Sequence, residues 1–205
     1  MFADATHASR IGALSLPHSG WGNGFVDFNN DGWKDLFTAN SHVNDRIEAF
    51  EPHVYKEPNS VFVNAGGKFS DGTPDGMKAA AKAHRGAAFG DFNGDGRMDV
   101  IVSALGEPAE LWENATANAG NWAAFRLTGT KSNRDGIGAR IRVGKQFNEM
   151  TSAVSYASAS LIPVHFGVGD AKVLDDVEIR WPSGRVQHLK GVPVNRVIDV
   201  KEPER

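Results

Sequence analysis

The chain has no cysteine in 205 residues. Disulfides and thiolate metal sites are therefore excluded, and the redox compartment stays open. Long apolar runs are missing as well: nothing approaches the roughly 18–20 consecutive apolar residues of a spanning helix. No segment carries a sustained 3.6-residue apolar period, so amphipathic helices are not expected. The start, Met1-Phe2-Ala3-Asp4, lacks the basic region and apolar core of a signal peptide. Common enzyme signatures are absent too: there is no Gly-x-Ser-x-Gly elbow, no His-Glu-x-x-His pair and no phosphate-binding glycine loop. The remainder is ordinary for a globular protein, with 40% hydrophobic residues, 23% charged residues and a net charge of −3. That composition fits one large domain or two small ones.

What is present is a nine-residue pattern that occurs twice. The copies are Asp27-Phe28-Asn29-Asn30-Asp31-Gly32-Trp33-Lys34-Asp35 and Asp91-Phe92-Asn93-Gly94-Asp95-Gly96-Arg97-Met98-Asp99. Each places side-chain oxygens at positions 1, 3, 5 and 9, with glycine at 6. A short loop wraps a hard cation with this spacing, because Ca²⁺ takes six to eight oxygens at about 2.3–2.6 Å. The glycine permits the sharp turn, and position 7 (Trp33, Arg97) offers only its carbonyl, so its side chain is free to vary. The expected ligands are thus Asp27, Asn29, Asp31, Trp33 and Asp35, then Asp91, Asn93, Asp95, Arg97 and Asp99, for about two Ca²⁺ ions. An EF-hand is excluded, since position 12 is Thr38 or Val102 rather than glutamate. Short apolar runs flank both loops and favour strands. An ion-free Asp/Asn/Gly turn would use the same residue types. Three carboxylates within nine residues, twice, favour the ion.

The loops sit inside a larger repeat. Gly22 to Asp27 matches Gly86 to Asp91 at the offset of the loops. Asn59-Ser60-Val61-Phe62-Val63-Asn64 matches Ala109-Glu110-Leu111-Trp112-Glu113-Asn114, and Phe2-Ala3-Asp4-Ala5-Thr6 matches Phe69-Ser70-Asp71-Gly72-Thr73. The unit reads strand, acidic loop, strand, connection, strand ending in Asn, turn, and Phe-x-Asp-x-Thr. Several short strands per unit point to an antiparallel all-β blade. The opening Phe2–Thr6 match suggests a chain that starts partway through a blade and belongs to a longer protein, with self-association through open strand edges as the competing outcome.

Residues 1–116 resemble FG-GAP/VCBS-type repeats, the calcium-loop blades of integrin-α-like β-propellers. The two Asp-Phe-Asn-x-Asp-Gly-x-x-Asp loops and the strands ending in Asn64 and Asn114 carry the likeness. The resemblance implies a structural calcium near each blade edge. After a small, polar stretch at 115–120, residues 117–205 resemble the ASPIC/UnbV domain, an order found in cartilage acidic protein-like (CRTAC-type) proteins. That likeness rests on Leu127-Thr128-Gly129-Thr130-Lys131-Ser132-Asn133-Arg134-Asp135-Gly136-Ile137-Gly138-Ala139, on His165-Phe166-Gly167-Val168-Gly169 and on Trp181-Pro182-Ser183-Gly184. Residues 156–163 lack the glycines expected before the His-Phe-Gly strand. The fold class expected is all-β: propeller-type antiparallel blades followed by a β-sandwich-like domain. Alternation in 121–127 and 137–143 predicts two strands with a turn at 131–136. A further hairpin is expected at 177–181 and 185–189, with Glu178, Arg180, Arg185 and Gln187 sharing its solvent face.

Charge divides unevenly. Residues 1–116 hold 9 Lys and Arg against 16 Asp and Glu, whereas 117–205 hold 13 against 9. Much of the first block's acidity is metal-directed. The basic group Arg126, Lys131, Arg134, Arg140 and Arg142 reads as a solvated face, and nucleic acid is not expected because no aromatic residues interleave with it. The function expected is a calcium-binding extracellular or cell-surface interaction module, secreted, periplasmic or surface-bound, with a protein or glycan partner. A carbohydrate-active or biosynthetic accessory enzyme is the alternative, and would draw on His42, Glu51 and His53 in the long connection. Asn114-Ala115-Thr116 is a glycosylation sequon, relevant only in a eukaryotic secretory setting.

Overall fold

The computed structural model describes residues 1–160 and 162–204. The first repeat folds as β1 (Gly20–Val26), β2 (Asp35–Asn40), β3 (Ser60–Ala65) and β4 (Lys68–Asp71), a four-stranded antiparallel sheet in sequential order. The second forms β5 (His84–Gly90), β6 (Asp99–Ala104) and β7 (Glu107–Trp112), three antiparallel strands in order. These are the expected blades, and each acidic loop joins their first two strands. The only α-helices among the described residues are single turns, α1 (Ile11–Ser15) and α2 (Asp75–Lys78). The segment at 2–6 is exposed and carries no strand, although its sequence matches β4.

The blades share one core. Phe37, Ala39 and Met77 of the first meet Ala87, Phe89, Val100 and Val102 of the second. Phe37 and Phe89 pack edge to face, with ring centroids 5.8 Å apart, the geometry favoured by aromatic quadrupoles. The inner strands approach closely because Gly22 has no side chain. A Cβ there would lie 2.5 Å from the Ala87 nitrogen.

The rest of the chain forms β8 (Asn121–Thr128), β9 (Arg140–Val143), β10 (Gln146–Glu149), β11 (Ala153–Ser155), β12 (Ser158–Ala159), β13 (Val164–Gly169), β14 (Val173–Leu174), β15 (Val177–Arg180), β16 (Val186–Leu189), β17 (Val192–Pro193) and β18 (Arg196–Lys201). A sheet ordered β10-β9-β15-β16 and another ordered β13-β8-β18 enclose a second core of Phe125, Leu127, Ile141, Phe166, Val177, Ile179, Trp181 and Val200. The sandwich-like expectation holds, with β18 running parallel to β8. Two local readings need correction. β8 and β9 lie in different sheets, so the segment between them is a crossing between layers rather than a hairpin turn. In the β15–β16 hairpin, Gln187 stands opposite Ile179 and accepts the Trp181 indole N–H at 3.1 Å. His188 and Val186 are the residues opposite Glu178 and Arg180.

Residues 153–160 leave the C-terminal sheets and run along the blades. The hydroxyl oxygens of Ser155, Ser158 and Ser160 accept the N–H groups of Asn23, Ala87 and Phe89 at 2.7, 2.8 and 2.9 Å. These donors lie on β1 and β5, the first strands of their sheets, whose outer edges would otherwise invite another strand. The expected open edges are thus partly closed from within the chain. Leu161, inside the stretch noted for its missing glycines, lies outside the described residues.

The conspicuous 127–139 motif closes on one side chain. Glu202 is fully buried. Its Oε2 accepts the N–H groups of Thr130, Lys131 and Ser132 at 2.7, 2.8 and 2.8 Å. The Ser132 and Ser183 hydroxyls donate to Oε1. Burial alone would push this carboxyl up, but the Ser183 hydroxyl and the three amides more than reverse it and hold it well below the usual range. The unfolded chain protonates Glu202 near its ordinary value of 4.5 and the native state only at much lower pH. Between the two the unfolded state binds more protons, so this contribution to stability is full above that value and is lost as pH falls below it. Glu202→Ala is expected to cost about 2–4 kcal/mol in urea unfolding at pH 7, because charged hydrogen bonds are lost and amides are left unpaired. The deficit relative to the parent protein should shrink as the solution is acidified below pH 4.5.

Candidate metal centre: two acidic loops

The two loops have the same internal geometry. In loop 1 (residues 27–35), Asp27 accepts the N–H groups of Asp31 (3.1 Å) and Gly32 (2.8 Å), and Asp31 Oδ1 accepts that of Trp33 (2.7 Å). Asn29 accepts the Asp31 N–H (3.1 Å), and its amide donates to Asp31 Oδ2 at 2.9 Å. Loop 2 (residues 91–99) repeats this with Asp91 on Asp95 and Gly96, Asn93 on Asp95, and Asp95 on Arg97. The glycine at position 6 has positive φ in both, 91° at Gly32 and 84° at Gly96, as the tight turn requires. Loop 2 adds an ion pair from Arg97 to Asp95 at 2.5 Å.

The position-9 acids have a second task. Asp35 Oδ2 accepts the Phe28 N–H at 3.0 Å, and Oδ1 accepts that of Asn64 at 2.8 Å. Asp99 accepts from Phe92 (2.9 Å) and Asn114 (2.8 Å) in the same way. Both carboxylates are buried, at 0% and 2% exposure. The repeated asparagines complete the bracket: the Asn64 amide donates to the Lys34 carbonyl (2.9 Å) and that of Asn114 to the Met98 carbonyl (3.2 Å). Asn114 also donates to the Phe28 carbonyl at 2.8 Å, so the sequon's amide is committed to holding the two repeats together.

The donors are all hard oxygens, which suits calcium better than a softer metal. Burial, then the charges of Asp31 and Asp35, push the Asp27 carboxyl up to about 7, against the opposing pull of the Gly32 N–H. Burial likewise raises Asp35. In the middle of loop 1, Asn30 is 1% exposed and its Oδ1 has no donor. A buried oxygen without a partner costs free energy that an ion or water would recover. By donor chemistry the residues fit a calcium ion. Among the described residues, no three acid or imidazole side chains already converge into a cage. Their oxygens face the loop's own N–H groups. In loop 2, Asp91 Oδ1 accepts from both Gly94 and Asp95, and Asp95 Oδ2 from both Asn93 and Arg97, so an ion there would have to displace some of these donors.

Other residues cover the loops, and the sequence reading did not single them out for this. Gly120 N–H donates to the Asn29 carbonyl and Gly169 N–H to that of Asn30, both at 2.8 Å. Gly167 lies so close that a Cβ would fall 2.1 Å from Asp27 Oδ2. On loop 2, Gly96 lies under the Trp122 ring, and a Cβ there would overlap the indole. His165 stacks on Trp122 and donates from Nε2 to the Gly96 carbonyl at 3.1 Å. Burial drives this imidazole down to about 4, so it is neutral near pH 7 and carries its proton on Nε2. Lys34 occupies the position of buried Met98 in the second repeat and donates to Asn148 Oδ1 at 3.0 Å.

Residues 27–102 match the FG-GAP-like repeat family, 85–121 the FG-GAP repeat family, and 129–205 the ASPIC and UnbV family. The chain joins FG-GAP repeats to an ASPIC and UnbV domain. It is 24% identical to cartilage acidic protein 1 of Xenopus tropicalis over 128 residues, 58% of this chain and 20% of that protein. It is 34% identical to integrin alpha-7 of Mus musculus and 33% to that of Rattus norvegicus over 92 residues, 42% of this chain and 7% of each relative. The chain therefore spans a fifth or less of the curated relatives it matches.

Elsewhere, His42 and His53 stack with centroids 6.3 Å apart, and Glu51 lies 3.9 Å from His53 at the surface. The basic residues Arg126, Arg134, Arg140 and Arg142 are each paired with an acid, namely Asp199, Asp135, Glu149 and Asp176. Among the described residues no helix is long and apolar enough to cross a membrane, which says nothing of a β-barrel.

Asp35→Ala is expected to remove about 2–4 kcal/mol of stability even in excess chelator, because it strands two N–H groups whether or not an ion is bound. Urea unfolding in EDTA measures this. An unchanged midpoint would show that the bracket contributes nothing.

Proposed function

We propose that this protein is a calcium-binding interaction module of extracellular or cell-surface type, whose ions fix the blade edges from which partner-binding loops project. The observation that carries the reading is the pair of all-oxygen loops with one geometry, each crowding three carboxylates into nine residues. The names of the relatives, an integrin chain and a cartilage protein, support the setting, and a protein or glycan partner is the expected ligand. Secretion or surface exposure belongs to this reading, as does a domain boundary near residue 117.

The proposed ligands are the side chains of Asp27, Asn29, Asp31, Asp35, Asp91, Asn93, Asp95 and Asp99 with the carbonyls of Trp33 and Arg97. Bound calcium supplies the positive charge that three crowded carboxylates otherwise lack. In loop 2 the Arg97 guanidinium already shields Asp95 and would have to yield. The affinity expected is modest, about 10⁻⁶–10⁻³ M, given three carboxylates per site.

Calcium at a hundredfold excess over its Kd is expected to add about 2.7 kcal/mol for one site. Thermal melts in millimolar calcium and in EDTA read this as a rise in Tm of several degrees. Asp31→Ala and Asp95→Ala should each remove one part of the rise. Coincident melts for the parent protein in calcium and chelator would refute the reading.

A further inference from the structure

Both acidic loops point at the C-terminal sheets, and the first does so through its backbone. The carbonyls that accept from Gly120 and Gly169 belong to Asn29 and Asn30, between the proposed ligands Asp27 and Asp31. Contact at Gly120 is main chain against main chain, whereas Gly167 lies against both the Asn30 backbone and the Asp27 carboxylate. A Cβ on Gly167 would lie 2.4 Å from the Asn30 Cα, and one on Gly120 would lie 2.5 Å from the Asn30 carbonyl oxygen. Asn30 itself has φ 58° and reaches across to loop 2, donating to the Gly96 carbonyl at 3.2 Å. Asp27 is 6% exposed, covered by this contact. Loop 2 is held differently. Its glycine meets Trp122 and His165, while Asn93 and Asp95 stay exposed.

We propose that the C-terminal domain is a working part of the first cation site: Gly120, Gly167 and Gly169 hold loop 1 in its binding conformation, so that cation occupancy and docking of the two halves strengthen each other. This rests on the calcium reading above and adds the site's regulation. The physical reason is conformational. Loop 1 has two carbonyls fixed from outside and a left-handed Asn30 at its centre, so the docked chain has already lost the freedom that an isolated loop would lose on binding. Linkage makes the effect reciprocal: whatever docking adds to affinity, the ion returns to docking. Loop 2, whose Asp91 is only half-buried and whose Asn93 and Asp95 face solvent, binds with little dependence on the C-terminal sheets. Gly120 and Gly169 are positioning residues, acting through the loop backbone, and Gly167 leaves room for the Asp27 carboxylate as well.

The test uses the intact chain and calcium alone. Calorimetric titration of Asp95→Ala reads loop 1, and that of Asp31→Ala reads loop 2. Adding Gly120→Ala to each, a change whose nearest contacts are the loop-1 backbone and Gly169, is expected to weaken loop 1 about tenfold, within the usual range of site coupling, and to change loop 2 less than about twofold. Hydrogen exchange on the parent protein gives a readout that needs no variant. The amides of Gly120 and Gly169 are expected to exchange about tenfold or more faster in EDTA than in calcium, with core amides of Phe125 and Ile141 little changed. If Gly120→Ala does not fold, this exchange experiment decides alone. Calcium binding at loop 1 with equal affinity in Gly120→Ala, or with unchanged protection of Gly120 and Gly169 in the parent protein, overturns the coupling and leaves the calcium reading standing. Absence of binding at both loops in the parent protein overturns the calcium reading and the coupling together.

Discussion

One carboxylate accepting two main-chain N–H groups from distant points of the chain is the constraint on which each repeat turns. Asp35 ties the start of its loop at Phe28 to the end of the third strand at Asn64, and Asp99 does the same for Phe92 and Asn114. These acids are buried, so the amides they hold are shielded from water, and a shielded donor must have a partner. The bracket sets where the loop begins and which residue of the third strand lies beside it. The remaining acids of the motif then fall at fixed places along the turn. Whatever the loops bind, their shape is imposed by hydrogen bonds within the protein.

The same economy of backbone contact joins the repeats to the C-terminal sheets. Gly120, Gly167 and Gly169 lie against loop 1 without side chains of their own, and Gly96 makes room for Trp122. The serines at 155, 158 and 160 partly close the free edges of β1 and β5. Apolar packing follows these polar contacts: Val154 and Ile162 rest on the core shared by the blades. The interface thus combines hydrogen-bond geometry and glycines without Cβ atoms with apolar packing, including the edge contact of Trp21 and Tyr156.

Much of the fold was legible in the sequence. The blades could be read because their strands recur with the same residues at the same offsets, and because a turn of Asp, Asn and Gly between apolar runs has few alternatives. The loop residues could be read for a similar reason, since oxygen at alternate positions with glycine at 6 is a local pattern. Long-range pairing was not legible. Nothing local distinguishes a hairpin from a crossing between sheets, so the separation of β8 from β9 was missed. A one-residue difference in register moved Gln187 to the other face of its hairpin. Asn64 and Asn114 were visible as repeated residues, but their task depends on an aspartate a strand away. Gly167 stands in a noted motif, yet a glycine kept for close approach reads the same as one kept for a turn.

The burial of Glu202 bears on how the protein is made. The loop at 129–139 carries the most recognisable motif of the C-terminal half, yet three of its amides are satisfied only by a side chain about seventy residues later. The strand just before that side chain pairs in parallel with β8, another long-range closure. On a ribosome, the blades can assemble while the remainder is still being synthesised, since their strands pair with near neighbours. The sandwich has no such option: its first strand, β8, pairs with its last, β18, so its layers close only when residues 196–202 are available.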